Sequence, residues 1–217
     1  MEKVIEMKGI TKVFPGTIAN DNIDFELLRG ETHVLLGENG AGKTTLMNIL
    51  YGLYKQEKGE IYVSGNLVNI STPNDAIKLG IGMVHQHFML VHNFTVAQNI
   101  ILGIEPKKGF KIDMNKAIKD VKEISEKYGF AINPNSVIED ISVGQQQRVE
   151  ILKALYRGAE ILILDEPTAA LDPRAEFEIY QHFNELVNGK TAVYISHRLS
   201  SASFCDNIVV FKNGEII

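Results

Sequence analysis

The sequence of 217 residues predicts an α/β fold: a mostly parallel sheet, an antiparallel β subdomain beside it and an inserted helical lobe. Three patterns predict it. Residues 80–85, 161–165, 191–196 and 207–211 are short, nearly continuous apolar runs, the form taken by strands covered on both faces. Residues 3–8, 22–28 and 60–70 alternate apolar and polar, as strands with one wet face do, the last of them around a Ser64-Gly65-Asn66 turn. Residues 88–158 are dominated by helical periodicity. A single domain over 1–217 is expected, with its core in 1–87 and 159–217 and its helical lobe in 88–158.

Taken in order, the run His33-Val34-Leu35-Leu36 reads as a buried strand, and Leu46, Ile49, Leu50 and Leu53 mark one face of a helix. Between them lies GENGAGKTT, residues 37–45, which fits the P-loop pattern G-x-x-x-x-G-K-[ST] and makes the core that of a P-loop NTPase. Gly40 and Gly42 leave room for backbone amides to turn inward on phosphate oxygens, and the following helix aims its positive end at the same spot. Lys43 would reach the β and γ phosphates, and the Thr44 hydroxyl would hold Mg²⁺.

Further along, Asp113 caps a helix whose face is Met114, Ala117, Ile118, Val121, Ile124 and Tyr128. A second helix carries Ile151, Leu152, Leu155 and Tyr156 and stops at Gly158. It opens with Ser142-Val143-Gly144-Gln145-Gln146-Gln147-Arg148, where a serine, a glycine and free amides make an anion site. Two phosphate-binding helix starts can grip one nucleotide only if two copies of the chain face each other.

The strand Ile161-Leu162-Ile163-Leu164 delivers Asp165 and Glu166 at its carboxyl end, where α/β sheets hold their ligands. Asp165 would sit near Mg²⁺, and Glu166 would orient or deprotonate the attacking water. Asp172 and Pro173 open a helix through Phe177, Tyr180 and Phe183 that ends near Gly189, and Asn213-Gly214 turns a terminal hairpin.

Composition narrows the function classes. Hydrophobic content of 45% is ample for a core, and a net charge of −5 with pI near 5.7 argues against a nucleic-acid surface. The single cysteine, Cys205, excludes an intrachain disulfide, suits a reducing compartment and is expected as a small buried hydrophobe. No signal peptide and no membrane span is visible, so any link to a membrane must run through a partner. His85 and His87 flank Gln86 with no cysteine or carboxylate clustered near them, a poor metal site.

In these motifs, and in their order over essentially all 217 residues, the chain resembles the ATPase subunits of ABC transporters. GENGAGKTT resembles their Walker A loop, which implies nucleotide contacts from Gly37, Asn39, Gly40, Gly42, Lys43, Thr44 and Thr45. Ile163-Leu164-Asp165-Glu166-Pro167 resembles Walker B, and Ile141-Ser142-Val143-Gly144-Gln145 resembles the LSGGQ signature, which implies nucleotide contacts from Ser142, Gly144 and Gln145. The resemblance also makes Gln86 the Q-loop residue, sharing Mg²⁺ with Thr44 and Asp165, and Asp172 the D-loop residue. It makes His197 the switch histidine and Phe14 the aromatic that stacks on adenine, with Glu166, His197 and Lys43 carrying catalysis.

What the resemblance implies is Mg²⁺-dependent ATP hydrolysis that powers solute transport, of nucleoside or simple-sugar type. The implied partners are a second ABC ATPase domain, in a homodimer or heterodimer, and a transmembrane permease on whose cytoplasmic face the chain sits. No nucleic acid is expected. Val143 departs from the family pattern by replacing the first glycine of the signature. Residues 1–168 resemble importer ATPases for nucleosides and simple sugars, whereas 169–217 resemble exporter ATPases, which reads as a natural or engineered mosaic. Importers of this group often carry two cassettes, so a truncated single cassette is a further expectation. The alternative is a soluble ATPase of the same family acting on ribosomes or DNA. A GTPase reading lacks support, because Asn115-Lys116-Ala117-Ile118 has no guanine-reading aspartate.

Overall fold

The computed structural model describes residues 2–166, 190–197, 202–203 and 205–217. The helix expected from Asp172 to Gly189 lies outside them, as do Pro167 and Arg198. In chain order the elements are β1 (Lys3–Phe14), β2 (Thr17–Leu28), β3 (Thr32–Gly37), α1 (Lys43–Leu50), β4 (Lys58–Val63), β5 (Asn66–Val68), α2 (Pro73–Lys78) and β6 (Ile81–Val84). They continue as α3 (Val96–Ile101), β7 (Lys107–Lys108), β8 (Lys111–Ile112), α4 (Met114–Lys127), α5 (Val143–Tyr156), β9 (Ile161–Asp165), β10 (Thr191–Ser196), β11 (Asn207–Lys212) and β12 (Glu215–Ile216).

The apolar runs become neighbours in a six-stranded sheet of order β12-β11-β3-β10-β9-β6, in which β11, β3, β10 and β9 run parallel. Every residue of β9 and β10 is buried, which is why their sequences carry no alternation. The alternating runs become a four-stranded antiparallel sheet of order β2-β1-β4-β5. Two of its strands are longer than their alternation suggests. Gly9 and Asn22 take left-handed conformations, at φ 62° and 51°, and the β1–β2 register shifts between Met7 and Ile10. A bulge resets which residues face inward, so the period-two pattern breaks while the pairing continues.

The two sheets share one core with α1. Leu46, Met47, Ile49 and Leu50 of α1 lie in a single buried cluster with Ile5, Met7 and Phe25 of the antiparallel sheet and Leu35, Ile163, Val193 and Phe211 of the parallel one. Leu53 is not on that face. Gly52, left-handed at φ 79°, donates its N–H to the Ile49 carbonyl at 3.0 Å, so the helix closes and leaves Leu53 exposed. Cys205 is half-buried, and burial followed by the Asp206 charge pushes its thiol up to about 12.

The chain divides into two compact units. One draws on Met1–Met83, Ala159–Glu166 and Val187–Ile217, and the other contains Val84–Gly158. In the second unit α3 packs on α4 and α5, burying Val96, Ile100, Ala117, Val121, Val149 and Leu152. Asp113 caps α4 by accepting from the Lys116 N–H at 3.0 Å, and Gly158, at φ 82°, lies just beyond the end of α5. No described helix is long and apolar enough to cross a membrane.

Two outcomes follow from this packing. Leu46 is wholly buried, so Leu46→Ala should cost about 2–5 kcal/mol in urea unfolding. Burial holds His85 below its ordinary 6.5, with Glu150 opposing the shift and Lys153 assisting it. As pH falls below 6.5 the unfolded chain takes the proton first, so stability is lost across that window. Urea midpoints compared between about pH 7 and 5 should fall less in His85→Gln than in the wild type.

Candidate nucleotide site

Parallel register sets the site. Ser196 of β10 lies opposite Leu36 of β3, and Ile195 lies opposite Asp165 of β9, so three adjacent strands end together and release Gly37, His197 and Glu166 at one edge. The loop after β3 is shaped by close backbone approach. A Cβ on Gly37, whose φ is 155°, would run into the Phe211 carbonyl of β11. One on Gly42 would strike the Ala19 carbonyl of β2 and the Asn20 side-chain amide. Gly42 is also the N-cap of α1, left-handed at φ 105°, and no side chain caps the helix. The first amides of α1 are therefore left to bind an anion. Among the described residues Gly40 needs its glycine for conformation, since φ is 82° and a Cβ there would meet none of them within 4 Å.

The chemical side chains pair across this edge. Lys43 Nζ donates to the Gly37 and Glu38 carbonyls at 2.8 and 2.9 Å, folding the ammonium over its own loop. Burial draws Lys43 below the ordinary lysine range, while the Glu166 and Asp165 carboxylates oppose the shift. Thr44 Oγ1 donates to Oδ1 of buried Asp165 at 3.1 Å, tying the loop to the acid strand. A hydroxyl and a carboxylate are hard oxygen donors of the kind magnesium takes, and they leave most of an octahedron for other oxygens. Glu166 Oε1 lies 3.1 Å from His197 Nδ1. The Glu166 backbone is left-handed at φ 42°, held there by its N–H donating to the Ile195 carbonyl at 3.1 Å. Such a conformation costs a non-glycine residue about 1–3 kcal/mol and is characteristically kept where function needs it.

Around this centre, Asn39 is exposed and Thr45 half-buried. A cavity of about 370 Å³ lies between Gly37, Asn39 and Gly40 on one side and Val210, Lys212 and Asn213 on the other. Phe14 is half-buried, meets Tyr54 edge to face at 5.4 Å and carries Lys12 Nζ 5.2 Å from its ring centroid.

The second unit presents the other expected anion site by itself. Ser142 caps α5, its hydroxyl accepting from the Gln145 N–H at 3.3 Å while Gln145 Oε1 accepts from the Ser142 N–H at 3.1 Å. A Cβ on Gly144 would meet nothing within 4 Å, so packing within the described residues does not require a glycine there. Val143 beside it is exposed. Gln86, also exposed, follows β6 by two residues and belongs to this unit, whereas Thr44 and Asp165 belong to the first. Asp172 lies outside the described residues.

Two supports of the loop carried no legible motif. Asn20 is wholly buried and donates Nδ2 to the Gly42 carbonyl at 3.1 Å. The Gly214 N–H, from the terminal turn, donates to the Ala41 carbonyl at 3.1 Å. A polar residue inside an alternating strand signals only a wet face, and a hairpin turn signals only itself.

The family model described as "ABC transporter" matches residues 20–169. Over 99% of its length the chain is 57% identical to the guanosine import ATP-binding protein NupO of Bacillus subtilis (strain 168), of which it covers 42%. The chain thus spans less than half the length of that relative. A crystal structure of an ATP-binding cassette of an ABC transporter in its ADP conformation superposes with a TM-score of 0.88 at 26% identity, covering 100% of this chain and 90% of that one. The dimeric structure of a bacterial ABC transporter cassette gives 0.82 at 29% identity, covering 98% and 96%. With its phosphate loop, acid strand and matched span in agreement, the chain belongs to the ABC transporter family.

Proposed function

We propose that the chain is the ATP-binding and ATP-hydrolysing subunit of a solute transporter of nucleoside or simple-sugar type, acting through a separate permease at the cytoplasmic face of a membrane. The observation that carries this reading is the Thr44–Asp165 bond at 3.1 Å, which joins the phosphate loop to the acid strand at the edge where Glu166 and His197 meet. The import activity named for NupO supports the substrate class. The domain reading is one cassette, with core 1–87 and 159–217 and lobe 88–158.

The chemistry follows from the chain's own groups. The amides from Gly40 to Thr45 cradle the phosphates, and Lys43 exchanges the Gly37 and Glu38 carbonyls for phosphate oxygens. Thr44, Asp165 and Gln86 would hold Mg²⁺, which when bound neutralises charge on the phosphate oxygens. Glu166 accepts the proton of the attacking water. His197 holds the Glu166 carboxylate through Nδ1 and leaves Nε2 for the γ phosphate. Phe14 stacks on adenine, while Asn39 and Thr45 complete the loop's contacts.

Ser142, Gly144 and Gln145 act on the nucleotide of a second cassette in a head-to-tail dimer, and Asp172, as the D-loop residue, is a further nucleotide contact. The open space around Gly144 supports this, because a glycine that no described residue crowds leaves room for an approach from outside. The dimeric cassette structure supports it as well.

Two measurements test the reading. Glu166→Gln should lower steady-state ATP hydrolysis by about 10²–10⁴-fold and leave an ATP-bound dimer visible by size-exclusion chromatography. Gly144→Asp should leave the melting temperature of the monomer within a few degrees of wild type, since a Cβ there meets none of the described residues and an acid suits a helix start, yet abolish ATP-dependent dimerisation.

A further inference from the structure

The connection from α3 to α4 carries a hairpin whose chemistry the nucleotide site does not use. β7 and β8 pair Lys107 with Ile112 and Lys108 with Lys111, around a turn of Gly109, left-handed at φ 64°, and Phe110. Phe110 stands fully exposed at the tip, and Ile112, Leu102 and Ile104 in the same connection are exposed too. The hairpin is anchored at its base. Asp113 donates its N–H to the Pro106 carbonyl at 2.7 Å while its side chain caps α4.

The charges are as particular as the ring. From 106 to 112 there are three lysines and no acid. In the next helix Lys116, Lys119 and Lys122 each pair with a carboxylate four residues on. Lys108 and Lys111 face each other across the ladder, an arrangement that destabilises a hairpin unless an anion lies over it. Glu105, at the base, feels the Lys107 charge, but its carboxylate is engaged by the Gly103 N–H at 2.7 Å.

We infer that this hairpin is a membrane-surface contact: Phe110 enters the headgroup layer of an anionic phospholipid bilayer, and Lys107, Lys108 and Lys111 hold its phosphates. Aromatic rings settle at that depth, and basic side chains are drawn to an anionic leaflet within a Debye length. A nucleic acid fits less well. The other exposed apolar groups of this connection, Leu102, Ile104 and Ile112, are aliphatic, not the stacked aromatics of a single-strand platform, and a pI near 5.7 is not that of a basic nucleic-acid-binding domain. One hairpin is a weak anchor alone, and its effect grows when a partner already holds the chain at the bilayer. The inference goes beyond ATP hydrolysis and stands without it.

The chain contains no tryptophan, so Phe110→Trp supplies a single fluorescent reporter in the full chain. Titrated at low salt with vesicles of equal phosphatidylcholine and phosphatidylglycerol, its emission should shift to the blue and be quenched by lipids brominated in their chains. Vesicles of phosphatidylcholine alone should leave it unchanged. Each Lys→Gln change at 107, 108 or 111 should weaken the response roughly five-fold. A Leu67→Trp control, exposed on β5, should not respond, and ATP hydrolysis by the triple lysine variant should match wild type. The inference is overturned if the anionic vesicles give no shift, if both vesicles shift the emission of the Phe110→Trp reporter equally, or if the triple variant binds as wild type does. It is also overturned if a short single-stranded oligonucleotide shifts the emission and displaces the vesicles.

Discussion

The site depends on the register of three parallel strands. β3, β10 and β9 are paired so that Leu36 meets Ser196 and Asp165 meets Ile195, which sends the phosphate loop, His197 and Glu166 from one edge of the sheet. A slip of one residue would move a strand end by about 3.3 Å and turn its side chains to the opposite face. Neither the Thr44–Asp165 bond nor the Glu166–His197 contact would survive it. The buried apolar runs that pack the core therefore also align the groups proposed for catalysis, and the fold and the site share one constraint.

Within that frame the phosphate loop holds itself ready. Its lysine rests on two loop carbonyls, polar partners that satisfy a buried ammonium and stand where the proposed function puts phosphate oxygens. Glu166 sits in a backbone conformation that a non-glycine residue adopts only under constraint, and the adjacent strand supplies it through the Ile195 carbonyl. Orientation of the carboxylate is then built into the sheet edge before any substrate arrives.

The parallel strands, the loop at 37–45, the acid pair and the caps at Asp113 and Ser142 were legible in the sequence because each follows from local chemistry: continuous burial, glycine conformation, or a side chain satisfying a free amide. The full lengths of β1 and β2 were hidden because bulges at Gly9 and Asn22 interrupt a period that is read locally. Leu53 fitted a helical spacing that Gly52 had already ended. Asn20 was illegible for a different reason: its partner is a backbone carbonyl on another element, and no spacing in one strand records a contact made across two.

The terminal turn has a consequence for how the molecule comes together. Gly214 accepts from the Asp21 N–H at 2.9 Å and donates to the Ala41 carbonyl, so one residue fastens the antiparallel sheet to the phosphate loop. On the ribosome, the loop is synthesised early and its fastener late. Closing so long a span carries an entropic cost before any contact repays it, which favours completion of the nucleotide pocket near the end of folding. The same order gives a growing chain a natural delay: the loop is fastened only once the strands that carry Asp165, Glu166 and His197 have been made.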